Sequence, residues 1–394
     1  MQPLAGLKIL DLSRVLACPF ASMVLAELGA EVIKVEQPGH GDETRQFEPQ
    51  LRVDSAYYFA CNRSKRSMTV NLRHPEGQHV IRALASKVDV VIENFPVGTL
   101  TRYGLDYATL SALNARLVML SCTGFGQTGP YANKKGYDTV FQAMGGLMSL
   151  TGEKGGGPVK PGLPIADLTS GLWVAIAILS ALQGRTQTGR GAYVDFSMLD
   201  AQVTLLTLAA ARWFALGEVP PRLGTEHPGR VPTATFLCAD DRYAHITASD
   251  QHWGPLCQAL GLQAWGADPR FADNAKRVAH RDEVMTQLTQ TIRALTRAQL
   301  IALLDAADVP IGPVNSVADI LQDPHVAARG LVGTFDYPGV GLFKGLGLPY
   351  KFQGFEDPAV GRPPTLGEHT DIILREMLSY DAEKIAQLRA LKVL

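Results

Sequence analysis

The chain has 394 residues, with 37 Lys+Arg against 38 Asp+Glu, a net charge of -1, 46% hydrophobic residues and 19% charged. This composition excludes disorder, collagen and coiled coil, and the balanced charge leaves no surplus of Lys and Arg for a nucleic-acid backbone or an anionic membrane. At roughly 150 residues per domain the length predicts two or three domains with ample chain for a core, and small-molecule chemistry is the default expectation.

From the N-terminus, short β-branched runs alternate with helical stretches: a strand at 7–12, a helix at 19–28, a strand at 31–35, a helix at 75–86, and strands at 88–92 and 117–121. Links such as Leu28-Gly29-Ala30 and Gln37-Pro38-Gly39 carry turn chemistry, so the alternation predicts βαβ units and a Rossmann-like parallel sheet. A helix is expected at 137–150, then the glycine-rich loop 152–157, then an apolar helix introduced by Asp167. The apolar run from Leu172 to Leu182 is shorter than the roughly 20 residues of a membrane span, so it reads as a core helix.

After Gly189-Arg190-Gly191 come a strand at 192–196 and a helix at 199–216, which closes the first part of a large domain, 1–216. Residues 217–230 are rich in Pro and Gly without periodicity, which predicts a linker across 217–235. Residues 236–326 then read as a smaller α+β unit, with a strand at 243–247, helices at 251–260, 281–295 and 298–306, and a short strand near Val314. The tail 327–394 carries strand-like pieces at 332–337 and 348–352 and helices at 370–378 and 381–391. The pattern alone does not say which domain the tail joins.

The five cysteines are odd in number and scattered without a CxxC pair, which speaks against a disulfide framework or a zinc site. The opening Met1-Gln2-Pro3-Leu4 lacks a basic and apolar leader, so no secretory signal is read and a cytoplasmic protein is expected.

Gly124-Phe125-Gly126-Gln127-Thr128-Gly129 matches GxGxxG after a strand, but a dinucleotide fingerprint opens a helix on its last glycine, and here Pro130 and the polar Asn133-Lys134-Lys135 follow. An NAD or FAD site is therefore not expected. No GxxxxGK[ST], GxSxG or HExxH occurs, which removes the P-loop, hydrolase and metalloprotease templates.

Asp167 stands out because it directly precedes an apolar helix. Its plain role there is an N-cap. The same position suits a nucleophilic carboxylate, which the helix dipole would keep ionised beside backbone N–H groups able to stabilise an oxyanion. Lys65, Arg66, Arg73, Arg102 and Lys135 lie near strand ends or loops, where open α/β sheets bind phosphates, and together suit an anionic ligand such as CoA. Each alone reads first as a solvated surface charge. Asn94-Phe95 follows Val90-Val91-Ile92 at the carboxyl end of a strand, a crevice position or an ordinary turn.

Several stretches, read together, strongly resemble the class III CoA-transferases, the family of formyl-CoA transferase and carnitine CoA-transferase. They are Pro3-Leu4-Ala5-Gly6-Leu7-Lys8-Ile9-Leu10-Asp11-Leu12, Leu28-Gly29-Ala30-Glu31-Val32-Ile33-Lys34-Val35-Glu36, Gly41-Asp42-Glu43-Thr44-Arg45, Gly136-Tyr137-Asp138, Ala166-Asp167-Leu168 and Leu366-Gly367-Glu368-His369-Thr370. The resemblance covers nearly the whole chain. It implies a large Rossmann-like domain completed by the tail, a smaller second domain, and an interlocked, ring-like homodimer.

It also implies covalent transfer of CoA from an acyl-CoA to a carboxylic acid through Asp167, by way of aspartyl anhydride and aspartyl-CoA thioester intermediates. CoA is then a cosubstrate, with no permanent cofactor and no metal. By the same resemblance Val15, Leu16, Asn94, Phe95, Arg102 and Lys135 contact CoA. A carboxylate of ordinary pKa, about 4, is ionised at neutral pH and needs no general base. It does need water excluded, and the loop at 155–157 is a candidate to close over it.

The formyl-transferring branch has a glutamine where Leu16 stands, a cation where Gln37 stands, and a glycine run absent here. The run Leu223-Gly224-Thr225-Glu226-His227 is instead similar to the branch that handles succinyl-CoA and dicarboxylates such as glutarate or itaconate. Arg45 and Arg230 are candidates for a distal carboxylate, with Tyr137 beside the substrate. Two rivals stand against this reading. The α-methylacyl-CoA racemases pair the aspartate with a histidine, where this chain has Tyr137. The other rival is a non-catalytic acyl-CoA binding protein.

Overall fold

The structure is a computed structural model that describes every residue from Met1 to Leu394. Six strands, β1 (Lys8–Asp11), β2 (Glu31–Glu36), β3 (Arg66–Thr69), β4 (Val90–Glu93), β5 (Val118–Thr123) and β6 (Tyr193–Ser197), form one parallel sheet in the order β3-β2-β1-β4-β5-β6. The class is α/β, with the doubly wound strand order of Rossmann-like sheets.

Both faces of the sheet are covered, so adjacent apolar residues of β1, β2 and β4 are buried on opposite sides. Leu10, Ile33 and Val91 lie side by side and join a core with the helix Pro75–Ala85 and the C-terminal helices Thr370–Leu378 and Ala382–Ala390. Their neighbours Ile9, Val32 and Val90 point the other way, into a core with the helices Ala17–Glu27 and Ile165–Thr188. The chain runs from β1 outward to β2 and β3, then returns to place β4 on the other side of β1. Crevices outside the carboxyl ends of strands at such a reversal are where these sheets bind ligands.

The chain forms two compact units. One comprises Met1–Leu147, Pro161–Ala210 and Pro324–Leu394, and the other Met148–Lys160 and Ala211–Asp323. The second holds an antiparallel sheet of β7 (Thr233–Leu237), β8 (Tyr243–Thr247) and β9 (Ile311–Pro313). Phe236, Ile246, Trp253, Phe271, Leu288 and Leu300 make its core. A fully buried arginine, Arg277, ties that core together by donating to the carbonyls of Val231 and Phe271, and it pairs with Asp250.

Some elements differ from expectation. The helix expected at 137–150 breaks at Gly145 and Gly146 into Asp138–Met144 and Leu147–Leu150, because Gly146 sits at φ +87°, outside helical space. The helix expected at 199–216 is likewise two, Met198–Thr204 and Thr207–Leu216. The piece at 348–352 is not a strand. Instead β10 (Val332–Tyr337) pairs antiparallel with β11 (Gly341–Leu346), and its Phe335 and Tyr337 close over Tyr58 and Phe59. The helix Ile165–Thr188 has 24 residues with a mean hydropathy of 1.8 in its apolar window, so by length and composition it could cross a membrane, contrary to the shorter run read from sequence. Here it buries Ala166, Ser170, Gly171, Val174, Ala175 and Ile178 and carries Asp167 in its first turn.

Candidate active site

Asp167 is not the N-cap but the third residue of this helix, and the N-cap residue is Pro164, which offers no side-chain bond. The cap comes from elsewhere. Asp138, in the first turn of Asp138–Met144, accepts the N–H groups of Ala166 at 2.9 Å and of Asp167 at 3.2 Å, and the amide of Gln142 at 2.6 Å. Phe141 fixes this short helix by filling the space a Cβ at Gly136 would need, with a ring atom 2.4 Å from that point.

Two consequences depart from the sequence reading. The N–H groups expected to await an oxyanion are already bonded to Asp138. The Asp167 carboxyl is also not an ordinary one, since burial, and then the neighbouring Asp138 carboxylate, push its pKa up to about 7. Tyr57 lies in the same field, its phenol raised to about 12 by burial together with Cys61, Asp167 and Asp138.

A cleft of about 420 Å³ opens at the carboxyl ends of β1, β2 and β4, the position the strand reversal predicts. Arg14, His40, Arg73, Phe95, Arg102 and Tyr103 are among its walls. Arg73 and Arg102 are exposed and have no carboxylate partner, so both remain available to an anion. Arg14 is paired with Glu43 at 3.0 Å and lies 5.1 Å from the centre of the Phe95 ring.

The expected site residues separate into groups. Phe95 and Arg102 line this cleft. Asn94 acts on the protein instead, accepting from the Arg14 N–H at 2.9 Å and donating to the Arg14 carbonyl at 2.8 Å. Val15 and Leu16 belong to the loop that Asn94 grips, with Leu16 buried and Val15 at φ +70°. Lys135 is exposed in the irregular stretch after the GxGxxG loop 124–129 and does not line the cleft. That loop opens no helix: the next one starts at Asp138, and the Gln127 N–H bonds Asp195. Tyr137 is 78% exposed, and Arg230 is exposed in the second unit.

Arg45 requires correction. Its guanidinium is buried, bonded to both oxygens of Glu36, to Asp54 and to the Pro364 carbonyl, and stacked on Tyr58, so its charge is held by the protein's own buried acids and not offered to a substrate. The loop 152–157 is tied within the second unit, by Arg222 donating to the Gly156 carbonyl at 2.9 Å and by Lys154 pairing with Asp282 at 2.9 Å. No three His, Cys, Asp or Glu side chains gather as a metal set. Sequence reasoning missed Asp138, Arg14 and His40. The capping role of Asp138 acts across 29 residues, so no local pattern announces it.

Known proteins resemble the chain over nearly its whole length. The family described as CoA-transferase family III matches residues 4–370. The succinyl-CoA:glutarate CoA-transferase of Mus musculus is 38% identical, across 98% of this chain and 89% of its own. The succinate–glutarate CoA-transferase of Agrobacterium fabrum is also 38% identical, across 95% of this chain and 96% of its own. Among solved structures, a CAIB/BAIF family protein from Brucella suis matches with a TM-score of 0.86 at 42% identity, covering 95% of this chain and 99% of that one. With a match of this extent over the same doubly wound sheet, the chain belongs to CoA-transferase family III.

Proposed function

We propose that the protein moves CoA from succinyl-CoA to a short dicarboxylic acid, glutarate being the first choice, with Asp167 as the nucleophile. The observation that carries this reading is a half-buried carboxylate without a bonded partner, on a chain whose cation-bearing cleft suits the phosphates of CoA. The Mus musculus relative is named for succinyl-CoA and glutarate and the Agrobacterium fabrum relative for succinate and glutarate, which supports the choice of substrates.

In the proposed sequence an Asp167 oxygen attacks the thioester carbonyl and CoA leaves as thiolate, giving a mixed anhydride. The thiolate attacks the aspartyl carbonyl, forming the aspartyl-CoA thioester and releasing succinate. The acceptor carboxylate then displaces CoA through a second anhydride, and the returning thiolate takes the new acyl group and frees Asp167. One thioester replaces another, so no ATP is consumed. Phe95, Arg73 and Arg102 are assigned to the nucleotide end of CoA, and Val15, Leu16 and Asn94 to the loop beside it. Lys135, Tyr137 and Arg230 stay as candidates for contacts with CoA or the acceptor, and the loop 152–157 as a candidate lid.

We also read the chain as one half of an interlocked homodimer. Leu172, Trp173 and Ile176 on the long helix, and Leu208, Trp213 and Phe214 further on, are large apolar side chains left 43–83% exposed in the single chain. A cytoplasmic location is supported by five cysteines that are all free and buried.

The test is peptide mass spectrometry after incubation with succinyl-CoA. A succinyl or CoA adduct on the Asp167 peptide, absent in Asp167→Asn, is expected, with glutaryl-CoA appearing once glutarate is added. An adduct with a different acyl-CoA alone would overturn the donor. No adduct with any acyl-CoA would overturn the mechanism.

A further inference from the structure

Residues 13–16 connect β1 to the helix Ala17–Glu27 at the wall of the cleft, and they are held in a conformation the sequence does not favour. Val15 has φ +70°. A β-branched residue in left-handed space is a true outlier, and it persists only where its surroundings over-determine it.

The surroundings are on hand. Both Asp42 oxygens accept the Val15 N–H, at 3.3 Å each. Asp42 is in turn fixed by Lys34, whose Nζ lies 2.8 Å away with both side chains buried, and by the N–H of Thr44 at 2.9 Å. The same ammonium donates to the Ser13 carbonyl at 3.0 Å, so one lysine grips the loop both directly and through the carboxylate. Asn94 holds Arg14, the residue between, by both its N–H and its carbonyl. Burial opposes the charge on each partner, yet Asp42 is held below the usual carboxylate range by Lys34, and Lys34 above its own by Asp42, Asp11 and Glu36. The pair stays ionised.

Resting on the reading of the cleft as the acyl-CoA site, we infer that Asp42, anchored by Lys34, is a positioning residue for acyl-CoA: it holds Val15 left-handed, so the loop at 13–16 and its Arg14 stand formed at the cleft before substrate arrives. The ordering is done during folding, which lowers what binding must supply. Lys34 is fully buried and Asp42 only 2% exposed at the cleft wall, so each acts through the loop it holds.

The first test removes the pair together, Lys34→Met with Asp42→Leu, so that no buried charge is stranded. The KM for succinyl-CoA should rise about tenfold or more while kcat stays within about threefold. Adding Val15→Gly, which accepts positive φ without a clamp, should bring KM back to within about threefold of wild type. A damaged fold would gain nothing from a glycine. An unchanged KM, or a loss that Val15→Gly does not relieve, overturns the proposal. If the pair variant does not fold, amide exchange in the wild-type protein tests the clamp.

A second measurement needs no ligand. The Val15 amide of the wild-type protein should exchange with deuterated water far more slowly than an exposed loop amide, and fast exchange overturns the clamp whatever the enzyme does. A wild-type protein that protects Val15 but transfers no CoA overturns the transferase reading, and the clamp's role in binding with it.

Discussion

Asp138 and Asp167 bring two carboxylates to one helix end, each in different surroundings. Asp138 accepts three donors, while Asp167 has burial and its neighbour's charge against it and is lifted to about 7. Only the ionised form can attack a thioester. We therefore expect kcat/KM to rise about tenfold per pH unit below 7 and to level off above it. Asp138→Asn keeps an acceptor for the two N–H groups and removes the charge, so the midpoint should fall toward that of an ordinary carboxylate. Glu93 also titrates near 7, because burial outweighs its bonds from Ser121 and the Phe95 N–H. Rate profiles from pH 5 to 8.5 for Asp138→Asn and Glu93→Gln separate the two, and a profile that Asp138→Asn leaves unmoved would assign the titration elsewhere.

The same shift bears on stability. Asp167 binds its proton more tightly folded than unfolded, so the folded state loses stability as pH rises from about 4 to 7. Asp167→Asn should be more stable than wild type by about 1–3 kcal/mol at pH 8, with the gap closing near pH 4, as read from melting temperatures. Asp167 itself was legible in the sequence through its Ala-Asp-Leu context. Its pKa was not, because the charge that perturbs it and the burial around it are tertiary. Arg45 failed for the related reason that a motif arginine shows no sign of the buried acids that occupy it.

At the scale of elements, the strands that pack on both sides were readable from apolar runs, and β1, β2, β4, β5 and β6 all fall close to where the pattern puts them. By contrast β3 reads Arg-Ser-Met-Thr, an edge strand whose alternation is too short to register, and it went unseen with the helix Ala56–Asn62 before it. Helix ends were blurred wherever one glycine decided them, as at Gly146. The element that presents Asp167 depends on another glycine. A Cβ at Gly171 would lie 2.6 Å from the Ala17 carbonyl oxygen and 2.9 Å from the Phe20 ring, so the two helices touch there along their backbones. Gly171→Ala gains about 1 kcal/mol of helix propensity but forces apart a contact whose overpacking costs about 1–3 kcal/mol. The clash falls on backbone, which cannot swing away, and it should win. We expect a net loss of stability, measured by urea unfolding, and reduced adduct formation at Asp167, four residues away on the same helix face. A stable, fully active Gly171→Ala would show that the helices part without cost.

At the scale of the molecule, the long helix is the feature that single-chain packing does not satisfy. One face is buried against the sheet and the helix Ala17–Glu27, while Leu172, Trp173 and Ile176 remain 49%, 43% and 51% exposed. Two environments could cover that face, a lipid bilayer or a second copy of the chain. A helix in a bilayer would be apolar all round, whereas this one carries Asp167 in its first turn and Arg185 in its last, the latter paired with Asp89 beside β4. That favours the second copy. We expect a dimer by light scattering at micromolar concentrations, with a melting temperature that falls on dilution because only the folded state associates. Ile176→Glu combined with Phe214→Glu places charge in the apolar surface on both helices and should yield monomers that still fold around the sheet, whose core contains neither residue. Those monomers should lose transfer activity if each site needs its partner. A wild-type protein that stays monomeric at every concentration, or that sediments with vesicles of neutral lipid, would overturn the dimer and give the exposed helix face a different role.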